Sequence, residues 1–186
     1  MKPAPFDYAA PETLTEAVDL LGEDALVLAG GQSLVPMLNR RLARPSRLVD
    51  LNRIRELATL TRRDGSLWIG ATVRQATLER SPLVARGWPL LQQAVRYAGH
   101  AAIRSRGTVG GSAAHADPNA ELPVALIALD ARFHVRGPRG EVLGQLNAQG
   151  ARAIPSTTAD LVTYALQHVI ESGTGTAAWA AGLFST

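Results

Sequence analysis

Apolar residues recur along this chain at two different periods. Leu14, Ala17, Val18 and Leu21 fall three and four positions apart, and Thr13 and Glu16 stand just ahead with the hydroxyl-to-carboxylate spacing of a capping box. The pattern predicts a helix that opens at Thr13 and stops at Gly22. Ala25, Leu26, Val27, Leu28 and Ala29 then form a short apolar run, which predicts a strand. That strand runs straight into Gly30 and Gly31, and a second apolar, helical stretch is expected over 34–42. Another strand is expected over 47–51. The order helix, strand, glycine turn, helix, strand favours α/β layering with parallel strands.

Beyond residue 52 the texture changes. Strand-like runs over 58–61 and 66–70 flank Arg63, Asp64 and Gly65, and Asp-Gly between two such runs is a hairpin signal. Helical spacing follows over 74–80 and, more clearly, over 88–98. From 99 to 118 the chain is rich in glycine and alanine without a clear period. Residues 121–129 read as an apolar helix with Pro123 near its start. Runs over 131–136 and 141–143 predict a hairpin around 137–140. The stretch 153–169 has a foldable pattern, and the tail 171–186 has none. A boundary between two lobes is expected near 52–57.

Composition narrows the function classes. At 186 residues, with 46% hydrophobic and 19% charged positions, the chain fits one globular domain or two small lobes. It has no cysteine, which excludes disulfides, thiolate zinc sites and self-ligated iron–sulfur clusters. No apolar run reaches the roughly 18–20 residues of a membrane helix. The first residues lack a signal-peptide pattern, so a cytoplasmic protein without membrane insertion is expected. The net charge is +3, from 18 arginines and a single lysine, Lys2, among other charges. The arginines are scattered, and aromatics make up only 5%. Nucleic-acid binders concentrate basic residues on one face beside stacking rings, so no nucleic-acid partner is expected. A solvated surface accounts for most of these arginines, and an anionic cofactor is compatible with them.

Three segments carry candidate chemistry. In the first, 28–36 (LAGGQSLVP), a double glycine follows a strand. Such a turn permits positive φ and close approach of a ligand to the backbone, and the next amides then point outward. A plain strand–helix turn explains the same residues equally well. The segment is neither a dinucleotide GxGxxG nor a Walker A loop. The second segment, Thr108, Val109, Gly110, Gly111 and Ser112, again pairs glycines with hydroxyls. Two such turns are suited to grip one diphosphate from opposite sides. In the third, His115, Asp117 and Glu121 are separated by Pro118, so no single helix face presents all three, and no metal site is expected. Asp117 or Asn119 is expected to cap the following helix. His100 is expected as a helix C-terminal group, and Tyr97 as a packing residue. No nucleophile elbow is present, and no catalytic side chain is assigned.

Segments 28–36, 67–74 (LWIGATVR) and 103–123 (IRSRGTVGGSAAHADPNAELP) together resemble the FAD-binding medium subunit of molybdenum hydroxylases. That group includes aerobic carbon monoxide dehydrogenases and xanthine dehydrogenase-type enzymes. The resemblance runs from about residue 3 to about 169. It implies an α+β (α/β) fold of the PCMH/vanillyl-alcohol-oxidase type, spanning 1–170, with lobes of about 1–55 and 56–170. It also implies FAD held by Ala29, Gly30, Gly31, Gln32, Ser33 and Leu34 and by Thr108, Val109, Gly110, Gly111 and Ser112. Glu121 would meet ribityl or ribose hydroxyls, and Leu166 would lie near the flavin ring. The implied partners are a large molybdopterin-containing subunit and a small 2Fe–2S subunit. Electrons would pass from the clusters through FAD to NAD, a quinone or another acceptor.

The resemblance fades at 171–186. A C-terminal flavoprotein domain of the family, with a lysine near the flavin, is expected to be missing. A scaffold or assembly piece that binds FAD poorly is the alternative reading. The two-loop assignment makes a direct prediction: Gly31→Val and Gly111→Val each abolish FAD uptake, read as visible flavin absorbance retained after desalting. If both variants hold FAD like the parent, the assignment of the loops is wrong.

Overall fold

The two short apolar runs near the N-terminus pair side by side. In the computed structural model, which describes residues 2–136 and 142–147, β1 (Asp7–Ala9), β2 (Ala25–Leu28) and β3 (Arg47–Asp50) form a parallel sheet in the order β1-β3-β2. Leu48 lies opposite Tyr8 and Leu26, and Val49 opposite Ala9 and Val27. Successive side chains of β3 face opposite sides, yet both Leu48 and Val49 are buried. That is the mark of a middle strand covered on both faces. Helices α1 (Leu14–Asp19) and α2 (Leu34–Asn39) supply the connections that parallel strands require. Thr13 caps α1 as expected, its Oγ1 accepting from the Glu16 amide at 3.2 Å. The Glu16 carboxylate accepts from the Glu12 amide, one residue before the usual capping-box partner. Ala17, Val49 and Ile54 form a small core with Leu14, Leu20, Leu51 and Leu57 around them.

Two short 3₁₀ turns, Leu51–Arg53 and Arg55–Ala58, lead to the hairpin of β4 (Leu60–Arg63) and β5 (Ser66–Ile69). Its turn residues Asp64 and Gly65 both have positive φ, 48° and 79°, as a type I′ turn demands. Helices α3 (Gln75–Arg80), α4 (Pro82–Gly87), α5 (Pro89–Tyr97), α6 (Ala101–Arg106), α7 (Val109–His115) and α8 (Glu121–Ala128) follow. The antiparallel pair β6 (Arg132–Arg136) and β7 (Val142–Asn147) closes the described part. Val73, Leu78, Val84, Leu91, Val95, Val109, Leu122 and Leu126 make the larger core, with Leu67, Trp88 and Phe133 among the side chains packed on it.

The architecture is the expected α+β: a parallel layer, then a helical layer with antiparallel hairpins. Three helices exceed the reading of the sequence. Ser81 caps α4 through the Val84 amide with Pro82 in its first turn, a signal independent of apolar period. The glycine- and alanine-rich stretch folds as α6 and α7. The expected turn at 137–140, the stretch 153–169 with Leu166, and the tail 171–186 lie outside the described residues. Among the described residues, no helix is long and apolar enough to cross a membrane.

One ion pair ties α3 to α6 and so steadies the chain entering Gly107. Arg104 donates from Nε to Glu79 Oε2 at 2.9 Å and from Nη2 to Oε1 at 3.2 Å, and Nη1 reaches the Gly99 carbonyl at 2.8 Å. The donation from Arg104 holds the Glu79 carboxyl below the ordinary carboxylate range. A carboxyl depressed on folding adds stability above its unfolded-state value, and that stability is lost as pH falls through the folded-state value. Wild type and Glu79→Gln should therefore differ most in melting temperature near neutral pH and converge in acid. A gap that stays constant down to about pH 3, below the usual carboxylate range, would show that charge pairing contributes nothing here.

Candidate functional site

β2 delivers the chain into the first glycine turn, where Gly31 takes φ 71°, a left-handed conformation that suits glycine. Gly30 faces the second glycine segment directly. A Cβ at Gly30 would lie 2.6 Å from the Arg106 carbonyl oxygen, 2.8 Å from Gly107 Cα and 3.0 Å from the Thr108 nitrogen. A Cβ at Gly111 would lie 3.6 Å from Ala29 Cβ and 4.0 Å from the Gly30 nitrogen. The two segments, far apart in sequence, thus meet main chain to main chain.

Their amides are used differently. Among the described residues, the amides of Gly30, Gly31, Gln32, Ser33 and Leu34 donate to no protein acceptor. Gly30 to Gln32 and Leu34 are half-buried and Ser33 is exposed. The Ser33 side chain makes no capping bond. Gln32 Nε2 donates back to the Gly30 carbonyl at 3.0 Å, stiffening the turn. Five successive amides are thus left open, and open successive main-chain amides are the groups from which anion sites are built. In the second segment the Val109 amide donates to the Val73 carbonyl at 3.0 Å and the Gly110 amide to the Ala71 carbonyl at 2.9 Å. Thr108 Oγ1 takes the Gly111 amide at 3.1 Å as N-cap of α7. The Ser112 amide goes to the Thr108 carbonyl at 3.1 Å. Of the amides expected to face a diphosphate here, that of Thr108 is the one without any protein acceptor among the described residues.

Side chains absent from the sequence reading hold the two segments. Asn52 donates from Nδ2 to the Ala29 carbonyl at 2.8 Å. Arg74 donates from Nη2 to Asn52 Oδ1 at 2.6 Å and from Nη1 to the Arg106 carbonyl. Gln75, buried, gives its amide to the Gly107 carbonyl at 2.9 Å and its Nε2 to Ser112 Oγ at 2.8 Å. Its Oε1 is buried without a partner among the described residues. The advance signals for this group were slight: Asn52 just follows a predicted strand, Arg74 and Gln75 open a predicted helix, and Arg74 also closes the 67–74 segment that shares in the resemblance.

Other expected residues fall elsewhere. Glu121 is exposed in the first turn of α8, and no hydrogen bond or ion pair among the described residues joins it to either glycine segment. Neither Asp117 nor Asn119 caps α8. Ala120 occupies that position, while Asp117 Oδ1 accepts from the Asn119 amide at 2.9 Å in a local turn. The intervening proline and turn leave the Asp117 carboxylate three residues, and Asn119 one residue, ahead of the cap position. His100 starts α6 rather than closing α5, because Gly99, at φ 56°, turns the chain before it. Tyr97 is 76% exposed instead of packed. No group of three metal-binding side chains occurs among the described residues.

The glycine substitutions also gain a different cause. A Cβ at Gly111 would lie 2.7 Å from Thr108 Oγ1, the capping oxygen, and one at Gly31 would lie 3.1 Å from Val35 Cγ2. Valine at either position disturbs the turn itself before any ligand arrives.

The sequence and the fold agree with known proteins. The chain is 48% identical over 144 residues to the 6-hydroxypseudooxynicotine dehydrogenase complex subunit alpha of Paenarthrobacter nicotinovorans, covering 76% of this chain and 49% of that one. It is 42% identical over 143 residues to the carbon monoxide dehydrogenase medium chain of Hydrogenophaga pseudoflava, covering 75% and 50%. The carbon monoxide dehydrogenase structure from Hydrogenophaga pseudoflava, lacking the Mo-pyranopterin moiety, superposes with a TM-score of 0.76 at 41% identity, over 81% of this chain and 53% of that chain. Quinoline 2-oxidoreductase from Pseudomonas putida 86 gives 0.76 at 39% identity, over 80% and 52%. The chain spans about half the length of the curated relatives it matches. The family described as the FAD binding domain in molybdopterin dehydrogenase matches residues 4–150, most of the 186, and the chain therefore belongs to that FAD-binding family.

Proposed function

We propose that this chain is the FAD-binding part of the medium subunit of a cytoplasmic molybdenum hydroxylase. Its partners in that reading are a large molybdopterin-containing subunit and a small 2Fe–2S subunit. The single observation that supports it best is the contact between the two glycine segments, which puts five open amides beside a second, rigid wall. Those residues fit a diphosphate: successive main-chain N–H groups recognise an anion, and glycine at 30 keeps the two main chains in contact.

FAD, when bound, supplies the redox chemistry by which electrons from iron–sulfur clusters reach NAD, a quinone or another acceptor. The protein's part is position and electrostatics. In this reading the amides of Gly30, Gly31, Gln32, Ser33 and Leu34 hold the diphosphate, and the Ala29 carbonyl is drawn back by Asn52. Thr108 adds its amide, while Val109, Gly110 and Gly111 build the wall that faces the first turn. Ser112 Oγ accepts from Gln75, so its own proton is free to be donated. Glu121 is assigned to the ribose or ribityl hydroxyls. In this proposal the described residues of the lobes of about 1–55 and 56–170 are the parallel layer and the helical layer, on either side of the cofactor. No side chain serves as a catalytic acid or base.

FAD titration of the purified chain tests the reading. Saturable quenching of flavin fluorescence, with a rise in melting temperature, is the expected result. Gly30→Ala should weaken FAD at least tenfold, about 1.4 kcal/mol, because its Cβ meets main chain at 2.6 Å. Gly22→Ala, with nothing within 4 Å of its Cβ, should bind like the parent. A parent chain that neither quenches FAD nor gains stability from it would overturn the proposal.

A further inference from the structure

We propose that Asn52 and Arg74 form a latch that fixes the separation of the two glycine segments and so positions the amides of residues 30–34. The idea deepens the FAD reading and rests on it for its ligand. Its starting point is a missing bond. Among the described residues, no main-chain hydrogen bond joins 29–34 to 106–112. Contact of Gly30 with Arg106, Gly107 and Thr108 sets how near the two main chains can come, but contact alone supplies only weak attraction.

The attraction is supplied by two side chains carried on segments that adjoin different cores. Asn52 follows β3, beside the small core of Ala17, Val49 and Ile54, and Arg74 precedes α3, beside Val73 of the larger core. Ala29 is bonded through its carbonyl to Asn52, Asn52 through Oδ1 to Arg74, and Arg74 to the Arg106 carbonyl. The chain of bonds therefore grips the residue before Gly30 and the residue before Gly107. Asp50 orients the latch from below: its Oδ1 accepts from the Asn52 amide at 2.9 Å and from Nδ2 at 2.5 Å. The remaining Asp50 oxygen takes the Tyr8 hydroxyl at 2.6 Å. Donation to this carboxylate also pushes the Tyr8 phenol above its ordinary value.

Arginine is required by geometry as well as charge. Its planar fork serves the Asn52 oxygen and the Arg106 carbonyl at once, whereas a lysine ammonium lacks that fixed fork. Asn52 and Arg74 are positioning residues, acting on the ligand through the loops they join.

The test uses the full chain and four variants: Asn52→Ala, Arg74→Lys, Arg74→Met, and Asn52→Ala with Arg74→Met. FAD affinity is measured by fluorescence, and amide hydrogen exchange across 29–34 and 106–112 is measured without FAD. Each single variant should weaken FAD by about tenfold, within the coupling range of contacting residues, and the double variant should be no weaker than the worse single one. Exchange should quicken in both segments in every variant. Arg74→Lys binding FAD like the parent would overturn the latch, because charge alone would then suffice. Multiplying losses in the double variant, or parent-like exchange in the singles, would overturn it as well. If the parent itself ignores FAD, the functional reading fails, and the exchange comparison still decides the latch.

Discussion

The structure turns on the contact of Gly30 with the main chain of Arg106, Gly107 and Thr108. Main-chain atoms yield far less than the end of a side chain. At 2.6 Å from a carbonyl oxygen there is no room for a methyl group at residue 30. The contact brings together two turns that the chain makes in separate layers. A second close approach, to Ala71, explains the glycine at position 110. Gly110 lies inside α7, where glycine costs about 1 kcal/mol relative to alanine. A Cβ there would lie 2.6 Å from that of Ala71. Close docking of α7 against the strand exit at Ala71 outweighs the helix penalty.

The two turns then perform different work. The first leaves five amides open, the second spends most of its own on the protein. Val109 and Gly110 bond to Val73 and Ala71, so the second turn is fastened to the segment between β5 and α3. Fastening makes it a rigid surface against which the more open first turn can settle. A concavity of amides binds an anion well only if those amides are held in place beforehand, since ordering them on binding would reduce affinity. Gln75 contributes to the same rigidity at an energetic cost, with one buried oxygen left unpartnered.

Much of this was legible in the residues, and the exceptions have physical causes. The capping pair Thr13 and Glu16, the Asp64-Gly65 turn and the strands around the first glycines follow from local rules, and the structure bears them out. Helices α6 and α7 were hidden because their stability comes from docking and from the Thr108 cap rather than from an apolar period. The meeting of the two turns was anticipated from their shared residue types. Asn52, Arg74 and Gln75 were not, because each works by bonds to partners 22 or more residues away, which no local spacing encodes. Which amides stay open was equally invisible, since it depends on the carbonyls of Ala71 and Val73.

The arginine excess illustrates the same point from another side. An arginine-rich, basic sequence invites the thought of an anionic polymer, but many of these guanidinium groups are engaged within the protein. Arg41, Arg44, Arg47, Arg74 and Arg104 each donate to a main-chain carbonyl. Arg62 lies over the Trp88 ring and Arg63 over Trp68, at 5.9 and 5.7 Å. Five donors on one planar head let arginine satisfy carbonyls at turns and helix ends where the main chain has no partner of its own. In a chain with many short helices such orphan carbonyls are frequent. The basic balance is then in part a consequence of how the fold closes its hydrogen bonds, and Arg74 shows one such closure joining Asn52 to the chain that enters the second glycine segment.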